Sequence, residues 1–272
     1  MTNDALFGLD GRVVAVTGGL GQLGRQYGHA LLARGARLAI IENRGGDAEL
    51  RAAYPEANPA QIMLVNADVT RRVTLEAALG AIRQRWEVPS GLVNNAAIDS
   101  PPDAPASEVG AFETYPETSW DKVMDVNVKG VFLACQVFGG AMAATGRGSI
   151  VNVASIYGKV SPNQSIYDFR RQKGEVFFKP VAYSASKSAI YNLTRYLATY
   201  WARQGVRVNT LTLAGVFNNQ PEEFLAAYTP HVPMGRMAKA EEYEGAVIFL
   251  LSGASSYMTG AELVIDGGWT AW

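Results

Sequence analysis

Hydrophobic positions in this chain fall into short, unbroken, β-branched runs set between longer stretches where apolar residues recur every three or four positions. Arg12–Thr17 (RVVAVT) is the first run. It lacks the alternation of a half-exposed strand, so it predicts a strand buried on both faces of a parallel sheet. Arg37–Ile41, Ile62–Ala67, Gly91–Asn94, Ser149–Val153, Val206–Leu211 and Glu262–Ile265 repeat the pattern, each separated from the next by a segment of helical length. After the first run, Leu23, Tyr27, Ala30, Leu31 and Leu32 keep helical spacing and Gly35 supplies a stop. Longer helices are predicted over Trp120–Thr145 and Ala182–Arg203. Strands alternating with helices imply βαβ crossovers, hence an α/β protein with a doubly wound, parallel, seven-stranded sheet and helices on both faces. No linker or repeat divides residues 1–272, which are expected to form one domain.

Composition narrows the function classes. The 272 residues are 48% hydrophobic and 18% charged, which supports a large core. Lys and Arg (24) nearly balance Asp and Glu (25), and the net charge of -1 leaves no footprint for nucleic acid or an anionic membrane. Cys135 is the only cysteine and His29 and His231 are the only histidines, so no disulfide, metal site or Ser–His–Asp triad is expected. Cys135 reads as a small buried residue. No apolar stretch reaches the roughly 18 residues of a membrane span, and a soluble, cytoplasmic protein is expected.

The chemistry lies at the strand ends. Gly19-x-Gly21-x-x-Gly24 follows the first strand and opens a helix, the arrangement that lets a backbone turn tightly and present free N–H groups to a pyrophosphate. Glu42 closes the second strand, eighteen residues beyond Gly24, where a carboxylate accepts hydrogen bonds from the adenosine ribose diol and repels a 2′-phosphate. NAD is therefore expected over NADP, with Arg44 the residue that argues the other way. Tyr183 and Lys187 stand four positions apart near the start of a predicted helix, on one face of it. A phenol accepts a proton near neutral pH only if a nearby positive charge stabilises the phenolate, and Lys187 supplies one.

In this order the motifs resemble the short-chain dehydrogenase/reductase family over essentially the whole chain. They are TGGLGQLG from Thr17, Asp68-Val69, Asn94-Asn95-Ala96-Ala97, Asn127 within DVNVKG, Ser155 closing SIVNVAS, Tyr183 with Lys187, Thr259-Gly260 and Asp266-Gly267-Gly268. The resemblance implies a Rossmann fold and an NAD-dependent oxidoreductase that moves a hydride between nicotinamide and a secondary alcohol or ketone. It implies a catalytic set of Asn127, Ser155, Tyr183 and Lys187, with Ser155 hydrogen-bonding the substrate oxygen, Tyr183 transferring the proton and Asn127 seating a water beside Lys187. Along the cofactor it implies Gly18, Gly21, Gln22, Leu23, Glu42, Asp68, Val69, Asn94, Ala96 and Val216 together with Tyr183 and Lys187. It also implies a homotetramer, with a dimer as the fallback; Trp269 and Trp272 are expected at an interface.

Three positions depart from the family pattern. Gln22 stands where the shorter branch carries glycine, Thr212-Leu213-Ala214-Gly215 replaces the usual Ser-Pro-Gly, and 28 residues separate Ser155 from Tyr183, about twice the family's habit. The excess forms an insert over about 157–180 containing FRRQKGEVFFK. It follows a strand end, where ligands bind in open α/β sheets. Tyr157, Arg170, Arg171 and Lys173, with Asn218 from the later GVFNNQPEEF segment, are the candidate substrate residues; the three cations concentrate positive charge for an anion, onto which a guanidinium would fork. The substrate is expected to be a sugar, sugar acid or polyol. IYGKVSP and GVFNNQPEEF are similar to a subgroup linked to bacterial surface-sugar and flagellin-glycan synthesis. An epimerase or dehydratase of the extended branch, and a non-catalytic NAD-binding regulator, are the alternatives.

Overall fold

The computed structural model describes residues 4, 6–99 and 109–272. Seven strands form one parallel sheet: β1 (Val13–Thr17), β2 (Arg37–Glu42), β3 (Ile62–Asn66), β4 (Gly91–Asn94), β5 (Gly148–Ser155), β6 (Val206–Leu213) and β7 (Glu262–Ile265). Their order across the sheet is β3-β2-β1-β4-β5-β6-β7. The direction of winding reverses between β1 and β4, which opens a crevice at their carboxyl ends. Alternate residues of one strand feed opposite cores: Val13 and Ala15 face one side of the sheet, Val14 and Val16 the other.

On the first side lie α3 (Arg72–Arg85), α4 (Glu117–Thr145) and α6 (Val181–Trp201), which bury Ile82, Phe138 and Ile190 against the strands. On the second lie α1 (Gln22–Ala33), α2 (Asp47–Ala53) and α8 (Glu244–Leu251), with Tyr27, Leu31 and Val247 inward. Among the described residues α4 is the one helix long and apolar enough to cross a membrane, and half of its apolar stretch is buried against the sheet, as a core helix requires. α4 starts three residues before the predicted Trp120 and is broken by two wide turns, Asp125–Lys129 and Cys135–Gly139, with five-residue hydrogen bonds such as Gly130 N–H to the Asp125 carbonyl.

The insert is folded rather than a loose loop. It holds the short helix α5 (Asp168–Gln172) and packs on α7 (Glu222–Tyr228) through a separate aromatic core over the strand ends. Tyr167 lies 4.8 Å from Phe177 and 5.8 Å from Phe224, centroid to centroid. Trp269 belongs to this core, 4.5 Å from Tyr228, and is 9% exposed. The expectation that Trp269 seeks an interface is thus corrected: its ring is covered within the chain, while Trp272 is exposed.

Candidate active site

Strand ends and glycines build the floor of the crevice. The buried Thr17 hydroxyl accepts from the N–H groups of Asn95 and Ala96, each at 3.1 Å, tying β1 to β4. Asn95 returns the tie, its Nδ2 donating to the carbonyls of Thr17 (3.2 Å) and Gly18 (3.0 Å). Gly18 has φ +66°, and a Cβ there would lie 2.9 Å from Ala96 Cα, so glycine is required twice over. Tyr54 supports the turn from beneath, donating to the carbonyls of Gly19 (2.8 Å) and Gly24 (3.2 Å). No side chain among the described residues caps the start of α1 at Gly21, and a Cβ on Gly21 would meet only the Gly18 carbonyl, at 3.3 Å. The N–H groups of the first helical turn therefore face an open approach, which fits a diphosphate.

Around this floor the expected cofactor residues are spread along one rim. Glu42 Oε1 accepts from Leu20 N–H at 2.9 Å, which fixes the carboxylate beside the turn. The Asp68 carboxylate accepts the N–H and hydroxyl of Thr70 at 2.9 and 2.7 Å. Val69 packs under α4, where a Cβ on Gly130 would fall 2.9 Å from its Cγ2. The Asn94 side chain turns away from the crevice: its Nδ2 donates to Asn152 Oδ1 (2.8 Å) and to the buried Cys135 sulfur (3.3 Å), so Asn94 serves the crevice only through its strand. Burial pushes the Cys135 thiol up to about 12, consistent with an inert core residue. Gln22 reaches across to the segment after β6, its Nε2 donating to the Phe217 carbonyl at 2.8 Å. That segment is pinned where the family's Ser-Pro-Gly would stand: Gly215 N–H donates to the Tyr228 hydroxyl at 2.8 Å, and Val216 bridges to Ala238.

Ser155, Tyr183 and Lys187 meet at the wall of a cavity of about 590 Å³. Ser155 is the last residue of β5, and α6 starts directly after Pro180, which places Tyr183 and Lys187 one turn apart against β5. Lys187 is 5% exposed; its Nζ donates to the Val153 carbonyl at 2.9 Å and lies 5.9 Å from the centre of the Tyr183 ring. Burial lowers its pKa to about 8, against the opposing pull of the Asp99 carboxylate. Burial raises the pKa of the Tyr183 phenol and Asp99 adds to the rise, while the nearby Ser155 hydroxyl acts the other way. Asn127 is buried in the first wide turn of α4. Its Oδ1 accepts from Ile98 N–H (2.8 Å), and its Nδ2 donates to the Ile98 carbonyl (2.9 Å) and to Ser186 Oγ (3.0 Å). Its side chain thus fastens the strand β4 exit to α6. Among the described residues no cluster of His, Cys, Asp and Glu is arranged to hold a metal.

The insert lines the cavity differently from expectation. Tyr157 and Arg170 reach it, and Arg170 pairs with Glu175 (Nε to Oε2, 2.5 Å) with its guanidinium 4.0 Å above the Phe177 ring. Arg171, Lys173 and Asn218 do not line it. Arg171 donates to the carbonyls of Phe177 (2.9 Å) and Gln164 (2.7 Å) and pairs with Asp168, so its guanidinium holds the insert together. Lys173 bridges outward to Glu223 at 2.9 Å. Asn218 is exposed, and Gln220 takes the cavity position instead. Three charged cavity residues escaped the sequence reading, Asp99, Glu175 and Lys179; Asp99 and Lys179 pair with each other, and nothing local in the sequence marks residues 80 positions apart as partners. Tyr54 was equally hidden, whereas Asn95 sits inside a motif already noted.

A family model described as enoyl-(acyl carrier protein) reductase matches residues 21–270. The chain is 36% identical over 274 residues to a galactitol 2-dehydrogenase (L-tagatose-forming) of Cereibacter sphaeroides, covering 98% of each chain. It is 32% identical to a D-threitol dehydrogenase of Mycolicibacterium smegmatis, covering 97% of this chain and 95% of the other. Among solved structures, a short chain dehydrogenase from Leptospira borgpetersenii serovar Hardjo-bovis with bound NAD+ matches with a TM-score of 0.84 and 29% identity, covering 99% of this chain and 96% of that one.

Proposed function

The chain belongs to the short-chain dehydrogenase/reductase family, and from that premise we propose that it interconverts a secondary alcohol of a polyol or sugar with the corresponding ketone, using NAD. The observation that carries the reading is the meeting of Ser155, Tyr183 and Lys187 at one cavity wall. The uncapped start of α1 with Gly18, Gly21, Gln22 and Leu23 would hold the diphosphate, Glu42 the adenosine ribose, and Asp68 and Val69 the adenine. Ala96, Val216, Tyr183 and Lys187 would hold the nicotinamide half, with Asn94 fixing the strand behind it. When bound, the nicotinamide supplies the acceptor or donor of the hydride.

The chain's own groups handle the proton. Ser155 donates a hydrogen bond to the substrate oxygen, and Tyr183 takes the hydroxyl proton as the carbonyl forms. Lys187 stabilises the phenolate by its charge, and its anchoring on Val153 keeps that charge in place without rearrangement. Asn127, whose side chain is spent on Ile98 and Ser186, would offer its main chain to a water beside Lys187. Glu42 supports NAD over NADP because a second negative group at the ribose would face its carboxylate; Arg44 is exposed nearby. The test is a screen of polyols, sugars and sugar acids with NAD and NADP, read by the absorbance of reduced nicotinamide. Turnover with neither cofactor on any secondary alcohol refutes the assignment.

Substrate names of the relatives support polyols; the narrower tie to surface-sugar or flagellin-glycan synthesis rests only on the IYGKVSP and GVFNNQPEEF segments. A homotetramer, or a dimer, is supported by apolar side chains left exposed on α4 and α6, among them Phe132, Tyr196 and Tyr200. A lone buried thiol suits a reducing compartment, and we place the enzyme in the cytoplasm.

A further inference from the structure

Resting on the polyol reading above, we propose that the Asp99–Lys179 ion pair is the selecting element of the substrate cavity, receiving neighbouring hydroxyls of a neutral polyol and turning away substrates that carry a negative charge. Among the described residues, five charged side chains line the cavity: Asp99, Arg170, Glu175, Lys179 and Lys187. Asp99 pairs with Lys179 and Arg170 with Glu175, while Lys187 is tied to the Val153 carbonyl behind Tyr183. Both cations that face the substrate space are therefore matched by a carboxylate. An incoming anion meets a dipole rather than a charge, and the attraction of the ammonium is cancelled by the carboxylate beside it.

Position gives the pair its role. The Lys179 side chain is only 9% exposed, and its Nζ lies 5.0 Å from the centre of the Tyr183 ring, so it stands next to where the reacting oxygen must sit. A hydroxyl on the adjacent carbon is both donor and acceptor. Asp99 offers acceptors and Lys179 offers donors, a combination that a diol satisfies and a carboxylate or phosphate does not. Tyr167, Phe177 and Phe224 provide apolar walls that suit the C–H faces of a polyol chain.

The test compares the wild-type enzyme with Asp99→Asn and Lys179→Met on galactitol and D-threitol as neutral probes and L-tartrate and D-gluconate as anionic ones. Kinetics are supplemented by calorimetric titration of tartrate into the NAD-loaded protein. Asp99→Asn leaves a buried ammonium without its counter-charge. It should lower kcat/KM for the polyols by about tenfold or more, chiefly through KM, and tighten tartrate binding by about tenfold or more. Lys179→Met should lose the polyols to a similar degree without gaining tartrate. A pair that only braces the fold would reduce all four substrates by one common factor with no gain for tartrate, and that result overturns the proposal. If the wild type oxidises no neutral polyol, the proposed function falls. The titration still decides the pair, since equal tartrate affinity in wild type and Asp99→Asn refutes it on its own.

Discussion

Tyr183 and Lys187 show how burial and charge divide one task between two side chains. Burial, with the Asp99 carboxylate adding to it, holds the phenol protonated, and burial weakens the ammonium; the two are useful because they are buried together. Tyr183→Phe keeps the ring and removes the proton path, so kcat for alcohol oxidation should fall by roughly 10²–10⁴, measured at saturating NAD and substrate. Lys187 also leaves a mark on stability. Its folded pKa, about 8, lies below its ordinary value of 10.5, so the unfolded chain binds more protons at this site between those limits. Stability should therefore rise with pH from about 8 toward 9.5, before the buried tyrosines reverse the trend by ionising only on unfolding. Urea denaturation at the two pH values should show that rise in the wild type and a flatter response in Lys187→Met. These residues were legible because the Tyr–Lys spacing stands in order with the glycine turn, Asn127 and Ser155; the spacing alone recurs by chance on helices. Arg171 was misread for the converse reason: a guanidinium advertises charge, but which carbonyls consume it depends on how the insert folds, and no local pattern encodes that.

At the scale of elements, short runs rich in apolar and β-branched residues located all seven strands, while the ends of two were missed where the ladder continues past the run. β5 and β6 each run two residues past the apolar run, through Ala154-Ser155 and Thr212-Leu213, and the first of these extensions brings Ser155 to the cavity. Hydrophobic periodicity did not reveal the wide turns of α4, although the first of them coincides with the DVNVKG motif that carries Asn127. Two substitutions probe the turn into α1. Gly24→Ala would place a Cβ 2.2 Å from the Gly18 carbonyl and 2.6 Å from Gly19 Cα, both backbone, so α1 must shift. The expected cost is about 1–3 kcal/mol, seen as a lower thermal midpoint together with weakened NAD binding. Gln22→Ala removes the bridge to Phe217 while leaving the glycines alone. It should speed hydrogen exchange over residues 214–220 and NADH release by a few-fold, in keeping with the roughly 0.5–1.5 kcal/mol of one hydrogen bond. Identical exchange in the variant would show that the bridge does not restrain the segment.

For the whole molecule, one sheet positions the site, and the proposed association falls to the surface. The insert and α7 wall the cavity with a shared aromatic core, and Ser155, Tyr183 and Lys187 all come from one chain. Among the apolar side chains left exposed in one chain, a group lies on the outer face of the two long helices. On α6, Tyr196 and Tyr200 are 62% and 60% exposed and stack at 6.0 Å; on α4, Phe132 is 43% exposed. Large apolar side chains gathered on neighbouring helices are costly to hydrate, and a closed symmetric assembly would cover them. Light scattering at micromolar concentration should then give two or four times the 29.2 kDa of the chain. Replacing Tyr196 and Tyr200 with glutamate puts four like charges across each two-fold contact and should return the protein to single chains. Since the glycine turn and Glu42 proposed to hold the cofactor belong to one chain, the separated chains should keep cofactor binding even as the assembly is lost. A wild-type mass of 29.2 kDa would remove the assembly from the account, and an unchanged multiple in the double variant would move the contact to another face.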